Sequence, residues 1–360
     1  MHVDAAHPPT DDTVLLDTRG RTGRITLNRP RALNALTHAM VRRIEAALTR
    51  WEQDDDVRTV VISGAGERGL CAGGDIRAIY EDARTGGAAS AAFWRDEYRL
   101  NARIARFSKP YVALMDGIVM GGGVGVSAHG DVRIVTERSK VAMPETGIGF
   151  VPDVGGTYLL GRAPGELGTH LALTGAPVGA ADALLCGLAD HFVPAGRLEE
   201  FGDALAGLDA ADAVGRYASA APEGELAGHR EWIDGCYAAG SVEEIVERLL
   251  DSGIRAAKEA AEVILAKSPT ALKVTLAAVR RTRTLGSLED VLDQEYRISY
   301  AALSSPDLVE GIRAQVIDKD RSPRWSPAEL ARVTDADVAR FFEPAGDGEL
   351  GLGAGAATLR

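Results

Sequence analysis

Cysteine is scarce in this 360-residue chain, which contains only Cys71, Cys186 and Cys236. They lie far apart, without a CxxC pair or the spacing of a metal-ligand set, so neither a disulfide framework nor a structural zinc site is expected. This low cysteine content is typical of a protein in a reducing compartment. Long apolar runs are also missing, since no stretch approaches the roughly 18 residues needed to span a bilayer.

Positive charge is in short supply as well. The formal net charge is −12 and the isoelectric point is near 5.2, which argues against a protein dedicated to nucleic acids or anionic membranes. Residues 1–13 contain no apolar segment and no arginine, so the sequence shows neither a secretory signal nor a transit peptide. We therefore expect a cytoplasmic protein that binds neither nucleic acid nor membrane.

The chain does contain an α/β pattern followed by a series of helices. An amphipathic helix is predicted after Pro30, ending near Glu52, and a buried strand is predicted at residues 58–63. Further along, the pairs Ser268-Pro269, Ser305-Pro306 and Ser326-Pro327 are typical helix starts. We predict a core at residues 12–178, a helical part at 179–345 and a disordered tail, rich in glycine, at 346–360.

Two glycine clusters follow predicted strands. The first, GAGERGLCAGGDI at 64–76, lacks the lysine and serine or threonine of a P-loop. The second, DGIVMGGGVG at 116–125, continues into a GxGxxA pattern, but the next predicted strand comes too soon for the crossover helix of a dinucleotide-binding unit. Glycine lets backbone N–H groups approach a ligand closely. Each cluster is therefore either a backbone site for a ligand oxygen or an ordinary glycine-rich turn.

Three acids are predicted to lie in apolar surroundings. Glu145 and Asp153 are eight residues apart in the nearly uncharged stretch MPETGIGFVPDVGG, and Glu97 falls on the apolar stripe of a predicted helix. Buried carboxylates need either partners or a function. Each also has an ordinary explanation: a charge at a helix start, a solvated turn, or a surface-edge side chain, respectively. The sequence has neither HExxH nor GxSxG, so zinc-protease and serine-hydrolase chemistry are not supported.

Three segments, in this order, resemble the enoyl-CoA hydratase/isomerase, or crotonase, superfamily. They are GLCAGGDI at 69–76, KPYVALMDGIVMGGGVG at 109–125 and MPETGIGFVPDVGGTYLL at 143–160, and NRPRALNAL at 28–36 is also family-like. The resemblance covers roughly residues 12–345. It implies an α/β fold, a crotonase-like spiral of ββα turns at 12–178, with a helical C-terminal part at 179–345.

The resemblance also implies roles for individual residues. The backbone N–H groups of Gly74 and Gly122 would form an oxyanion hole for the thioester oxygen of an acyl-CoA. Glu145 and Asp153 would be catalytic. No metal or separate cofactor is implied, because coenzyme A is part of the substrate. The residues expected to contact the substrate are Glu97, Ala32, Leu33, Ala72, Asp75 and Ile76.

Single positions favour the 3-hydroxyisobutyryl-CoA hydrolase branch of the family. Hydratases of the family carry a glutamate where this chain has Gly125, and usually a glycine where it has Asp153. This exchange implies hydrolysis of a 3-hydroxyacyl-CoA thioester, with 3-hydroxyisobutyryl-CoA of valine catabolism as the expected substrate. The alternatives are a Δ3-Δ2-enoyl-CoA isomerase, a hydratase-like enzyme and a non-catalytic acyl-CoA-binding protein. The oligomeric state is left open between a homo-oligomer of the trimer type and a monomer.

Overall fold

The computed structural model describes residues 12–353, and its strands form two sheets. The strands are β1 (Val14–Arg19), β2 (Thr22–Leu27), β3 (Thr59–Gly64), β4 (Tyr111–Met115), β5 (Ile118–Met120), β6 (Val132–Val135), β7 (Lys140–Ala142) and β8 (His191–Phe192). The larger sheet has the order β1-β2-β3-β4-β6-β8, and β5 pairs with β7 in the smaller one. Only the β1–β2 hairpin is antiparallel among these pairs.

The position of the two glycine clusters follows from β3 and β4. All five residues of β4 are buried, as expected for a parallel strand covered on both faces. β3 and β4 are adjacent and parallel, so the loops that follow them leave the sheet at the same edge. Isolated bridges then join Gly69 to Gly117 and Cys71 to Val119. The two clusters, which are about fifty residues apart in sequence, therefore lie side by side.

The α-helices make up most of the remaining regular structure within residues 12–353. They are α1 (His38–Glu52), α2 (Ile76–Ala83), α3 (Ala88–Ala105), α4 (Gly122–Gly125), α5 (Gly156–Leu160), α6 (Leu167–Thr174), α7 (Ala180–Leu185), α8 (Leu198–Ala204), α9 (Ala210–Tyr217), α10 (Leu226–Tyr237), α11 (Val242–Asp251), α12 (Arg255–Leu265), α13 (Pro269–Arg281), α14 (Leu288–Ala302), α15 (Pro306–Ile312) and α16 (Asp335–Arg340). The main hydrophobic core includes residues from Val14 to Leu350, so strands and C-terminal helices pack together. None of the helices described here is long and apolar enough to cross a membrane.

The first helix begins later than the sequence predicts. α1 starts at His38, where the Thr37 hydroxyl accepts a hydrogen bond from the Met40 N–H at 3.3 Å. Before it, Leu33 and Asn34 have positive φ angles of 52° and 56°, which a continuous helix does not allow. The Asn34 side chain bonds instead to the backbone of neighbouring loops. The apolar spacing from Leu33 onward therefore reflects burial of a loop as well as of a helix.

Two of the three predicted serine–proline helix starts are confirmed. Ser268 caps α13 by accepting from the Ala271 N–H at 3.0 Å, and Ser305 precedes α15. The prediction at Ser326 is wrong, because no α-helix follows it directly. Its N–H donates to the Asp307 carboxylate at 2.7 Å, which holds this segment against α15.

The predicted disordered tail is wrong for residues 346–353. Glu349 forms an ion pair with Arg297 at 2.8 Å, the Leu350 side chain is buried, and the N–H groups of Leu352 and Gly353 donate to an aspartate of α14 at 2.9 Å each. A glycine-rich composition misled the prediction because a few anchoring groups suffice to fix such a segment on a helix. Residues 354–360 lie outside the described residues.

Candidate active site

Glycines of the two clusters bring backbone and acids into close contact. A Cβ atom on Gly121 would lie 2.8 Å from Glu145 Oε1, and one on Gly122 would lie 2.7 Å from Glu97 Oε1. Gly121 also has a φ of 49°, a conformation that side chains other than hydrogen disfavour. A side chain at either position would therefore displace a carboxylate, and at Gly121 the backbone conformation also favours glycine.

Within residues 12–353, the predicted oxyanion donors, the N–H groups of Gly74 and Gly122, donate to no backbone carbonyl outside the regular elements. Leu36 bridges Gly74 by donating to the Gly73 carbonyl at 2.8 Å and accepting from the Asp75 N–H at 2.9 Å. In that geometry the Gly74 N–H points away from Leu36. Gly122 is the first residue of α4, so its N–H has no acceptor within that helix. Both amides are thus available to a ligand oxygen.

These glycines border a cavity of about 340 Å³. Its polar lining includes Glu97, Glu145, Asp153 and Lys267. The remaining lining is mainly apolar and comes from Ala72, Ile76, Ile79, Phe93, Trp94, Pro144, Ile148, Phe150, Leu308 and Ile312, together with Gly73, Gly74, Gly121, Gly122, Gly147 and Gln315. The shape and mixed lining are typical of a small-molecule site.

The structure brings seven of the ten predicted site residues to this cavity. Ala32, Leu33 and Asp75 do not line it. The Leu33 carbonyl accepts from the Ala72 N–H at 3.0 Å, and Asp75 forms an ion pair with Arg29 at 2.9 Å. The first contact supports Ala72, which is part of the cavity wall, and the second holds the Asp75 carboxylate on Arg29, outside the cavity lining. Their contact with a substrate stays a prediction.

The three acids of the cavity are all buried. The exposed fractions of Glu97, Glu145 and Asp153 are 2%, 7% and 5%, so Glu97 faces the core as its helical stripe predicts. Burial, and then the charge of Asp153, raises the pKa of both Glu97 and Glu145 well above the usual range. Burial also raises the pKa of Asp153 to about 7. Close carboxylates of this kind cannot all be ionised together at neutral pH.

Asp153 differs from the other two acids because it has a side-chain donor. The Tyr98 hydroxyl donates to Asp153 Oδ2 at 2.7 Å, which opposes the rise in the Asp153 pKa. Within the described residues, Glu97 Oε1 and Glu145 Oε2 are buried without a hydrogen-bond partner. Asp153 is therefore the acid whose charge a side chain stabilises directly, while each of the two glutamates, which also line the cavity, keeps one buried oxygen without a partner.

The turn after Asp153 is held by a buried acid from α14. Glu295 accepts hydrogen bonds from the N–H groups of Gly155 at 2.6 Å and Thr157 at 2.9 Å, and from the Thr157 hydroxyl at 2.6 Å. Just before Gly155, Val154 has a φ of 53°, which is unusual for a β-branched residue and costs on the order of 1–3 kcal/mol. The helical C-terminal part thus maintains a strained turn beside the cavity.

Gly125 leaves no room for a side chain. A Cβ atom there would lie 2.7 Å from the Val154 Cβ and 2.9 Å from Asn101 Nδ2. The space that a glutamate at this position would need is therefore occupied by Val154 and Asn101. The absence of an acid at position 125 is built into the packing of the neighbouring turn.

Sequence reasoning missed several residues of the site. Tyr98 bonds to Asp153, Ser299 bonds to Tyr98, Glu295 holds the turn after Asp153, and Lys267 lines the cavity. Glu295 carried a detectable signal, because it falls on the apolar stripe of α14 as Glu97 does on α3. The other three have no such signal, since serine, lysine and tyrosine are common on helices and in loops. Residues 12–353 contain no group of three or more potential metal ligands.

Comparisons with known proteins agree with this geometry. Residues 22–342 match the enoyl-CoA hydratase/isomerase family. A Gallus gallus protein named 3-hydroxyisobutyryl-CoA hydrolase, mitochondrial, is 44% identical over 96% of this chain and 92% of its own length. A carnitinyl-CoA dehydratase structure from Mycobacterium thermoresistibile is 55% identical, with a TM-score of 0.92 over 94% of this chain and 98% of that one. An enoyl-CoA hydratase structure from Rhodobacter sphaeroides is 46% identical, with a TM-score of 0.89 over 94% and 99%.

These comparisons confirm one prediction and correct another. The likeness to the two solved structures confirms the crotonase-like α/β fold. The predicted cytoplasmic location is wrong, because the named hydrolase relatives are mitochondrial proteins. The prediction failed because the lack of a recognisable signal in thirteen residues does not determine a compartment.

Proposed function

This chain belongs to the enoyl-CoA hydratase/isomerase family, and we propose that it cleaves the thioester of 3-hydroxyisobutyryl-CoA to give 3-hydroxyisobutyrate and coenzyme A. This reaction would place it in valine catabolism. The named hydrolase relatives, at 44% identity over most of their length, support the substrate. The two solved structures carry names for double-bond chemistry, so the residues of the site have to decide between hydration and hydrolysis.

The observation that carries the proposal is the packing at Gly125. Hydration of a double bond in this family uses two acids, and the position of one of them is closed here by Val154 and Asn101. The acid that this chain has instead, Asp153, enters the cavity from a different turn. Thioester hydrolysis needs an oxyanion site and one group that either attacks the carbonyl carbon or activates a water molecule. The amides of Gly74 and Gly122 and the carboxylate of Glu145 can supply these functions.

The oxyanion site would be formed by the Gly74 and Gly122 amides. When the thioester carbonyl is attacked, its oxygen gains negative charge, and two N–H donors in a cavity shielded from water stabilise that charge. Neither amide needs to break a backbone hydrogen bond to do so, which means that the donors are already oriented. The acyl group would then lie against the apolar wall of the cavity, which includes Trp94 and Phe150.

Glu145 is the group that we assign to the attack. Its Oε1 lies against Gly121, directly beside the proposed oxyanion site, and its Oε2 has no partner among the described residues. A carboxylate with a raised pKa is the stronger base. Glu145 would add to the carbonyl to form a mixed anhydride that water cleaves, or it would take a proton from the attacking water. In both routes the coenzyme A thiolate leaves and is protonated.

Asp153 and Glu97 would bind the 3-hydroxyl group of the substrate. Both carboxylates line the same cavity as Glu145. Burial raises the pKa of Asp153 to about 7, so it can accept or donate a hydrogen bond at neutral pH. A substrate hydroxyl would also satisfy the buried Glu97 Oε1. This arrangement would favour a hydroxylated acyl chain over a plain one.

The test is an assay of free coenzyme A with a thiol reagent. We expect the protein to release the thiol from 3-hydroxyisobutyryl-CoA faster than from acyl-CoAs without a 3-hydroxyl group. Rapid hydration of crotonyl-CoA without thiol release would favour the hydratase alternative, a shift of its double bond would favour the isomerase, and binding without turnover would favour the non-catalytic protein. Any of these outcomes would refute the proposal.

A charge-matched pair of variants tests the residue assignment. Glu145→Gln should abolish thiol release while binding of the CoA ester is retained, whereas Glu259→Gln, in an exposed ion pair on α12, should have no effect. A single turnover in heavy-oxygen water tests the anhydride route, since label in Glu145 requires that water attacks the Glu145 carbonyl of an anhydride, whereas label in the product alone shows that water added to the acyl carbon. Near-normal turnover of the Glu145 variant would refute the whole site assignment.

A further inference from the structure

The hydroxyl groups of Tyr98 and Ser299 form a buried chain that ends on Asp153. Tyr98 Oη lies 2.7 Å from Asp153 Oδ2 and 2.6 Å from Ser299 Oγ. Tyr98 and Ser299 have no exposed surface, and Asp153 is 5% exposed. Tyrosine has one hydroxyl proton. When Tyr98 donates it to Asp153, the bond between the two hydroxyls must be donated by Ser299.

We propose that Tyr98 and Ser299 are positioning residues that set the protonation state of Asp153 through a hydrogen-bond chain whose direction reverses when Asp153 takes up a proton. The proposal rests on the role of Asp153 in the proposed function. It adds two residues, from α3 and α14, which do not line the cavity themselves.

The chain can run in both directions because each hydroxyl both donates and accepts. With Asp153 ionised, Ser299 donates to Tyr98 and Tyr98 donates to the carboxylate. With Asp153 protonated, the carboxyl donates to Tyr98 and Tyr98 donates to Ser299, which as a helical serine can turn to a carbonyl of the preceding turn. Every bond is kept in both states. A carboxyl that alternates between donor and acceptor during turnover would benefit from this property.

Charged and titratable groups face Asp153 from every side. They are Glu97 and Tyr98 on α3, Glu145 on the turn before it, Glu295 on α14, His129 bonded to the Val154 carbonyl, and Lys267 in the lining of the same cavity. Burial raises the pKa of Asp153, and besides burial the charge of Asp153 raises the pKa of Glu97, Glu145 and Glu295. Tyr98 is the one side chain within residues 12–353 that donates to its carboxylate. Removal of that donor should therefore favour the protonated form.

The test is the pH dependence of thioester cleavage in Tyr98→Phe. A hydrogen bond to a charged group corresponds to a shift of about one to two pH units. In the pH profile of kcat/KM, we expect the transition that reports Asp153 to shift to higher pH by about this amount in Tyr98→Phe, and by less in Ser299→Ala. Tyr296→Phe is the matched control, because its ring packs against Tyr98 with centroids 6.1 Å apart, while its hydroxyl bonds to the Ala91 carbonyl.

A second measurement keeps the inference independent of activity. The protonated-carboxyl infrared band that is lost in Asp153→Asn reports the titration of Asp153 in the free protein. We expect this band to persist to higher pH in Tyr98→Phe than in the wild type or Tyr296→Phe. An unchanged titration in a folded Tyr98→Phe protein would overturn the inference. A protein without thioesterase activity that still shows the shift would refute the proposed function alone.

Discussion

The close contact between Gly125 and Val154 gives a quantitative test of the site. Gly125→Ala would place a Cβ atom 2.7 Å from the Val154 Cβ, closer than two carbon atoms can approach without repulsion. Val154 cannot move away easily, because its carbonyl is bonded to His129 at 2.7 Å and the next N–H to Glu295 at 2.6 Å. Overpacking of this kind costs about 1–3 kcal/mol. Since Asp153 precedes Val154, we also expect a lower kcat for thiol release.

A double-mutant cycle with Val154→Gly isolates this contact. Only glycine at 154 removes the Cβ that causes the clash, and glycine also tolerates the φ of 53° found there. The second contact, with the end of the Asn101 side chain, can relax. We expect Gly125→Ala to cost about 1–3 kcal/mol in the wild type but less than about 0.5 kcal/mol in Val154→Gly, which gives a coupling energy of about 1–2 kcal/mol.

Denaturant unfolding measures the cost of Gly125→Ala in the wild-type and the Val154→Gly backgrounds. The dependence of the unfolding free energy on denaturant concentration is checked for each variant. Gly215→Ala is the control, because this helical glycine has open space around its Cβ position and the change should stabilise by about 0.5–1 kcal/mol. The reasoning fails if Gly125→Ala is as stable as the wild type, or if its cost is the same in both backgrounds. In that event an acid at position 125 would not be excluded by packing, and the argument against hydration would lose its basis.

Two further predictions concern the amides and the acids. Gly122→Ala should lower kcat for thiol release by about 10²–10³-fold, because its Cβ would meet the Glu97 carboxylate and displace one oxyanion donor; a loss of less than tenfold in steady-state assays would contradict this role. Asp153→Asn should stabilise the protein at pH 8 but not at pH 4. Burial raises the Asp153 pKa from 3.8 to about 7, so the folded state holds a proton that the unfolded chain loses between these values. The free energy of unfolding of the wild type should therefore fall by up to about 4 kcal/mol as the pH rises across that interval. The same pH dependence of this free energy in both proteins would refute the prediction.

The part of the site that could be predicted lies in short continuous segments. Gly74, Gly122, Glu145 and Asp153 each stand in a local pattern of glycines or apolar residues, and adjacent parallel strands bring the two glycine clusters to one sheet edge. Glu97 could also be predicted, because a single acid on an apolar helical stripe has to face the core. These residues can be placed from the sequence because the helical repeat and the shared end of adjacent parallel strands are enough to locate them.

The rest depends on contacts between distant segments. Tyr98 meets Ser299 across 201 positions of sequence, and no local pattern reports that α3 and α14 pack together at this point. Asp75 shows the same dependence, since its carboxylate forms an ion pair with Arg29, 46 positions earlier in the sequence, and does not line the cavity. Similarly, residues 346–353 have the composition of a linker but are fixed by Arg297 and a buried leucine.

The exchange of acids between positions 125 and 153 is best understood as one structural change. Gly125 permits the close approach of Val154, the left-handed backbone of Val154 directs the turn, and Glu295 on α14 supplies the acceptors that hold it. Asp153 could not be held in the cavity by its own short segment, because the turn is strained. The turn that carries Asp153 in this structure is therefore held by both the close approach at Gly125 and the buried Glu295 carboxylate of α14. The helical C-terminal part is thus a structural condition for the chemistry that we assign to Asp153.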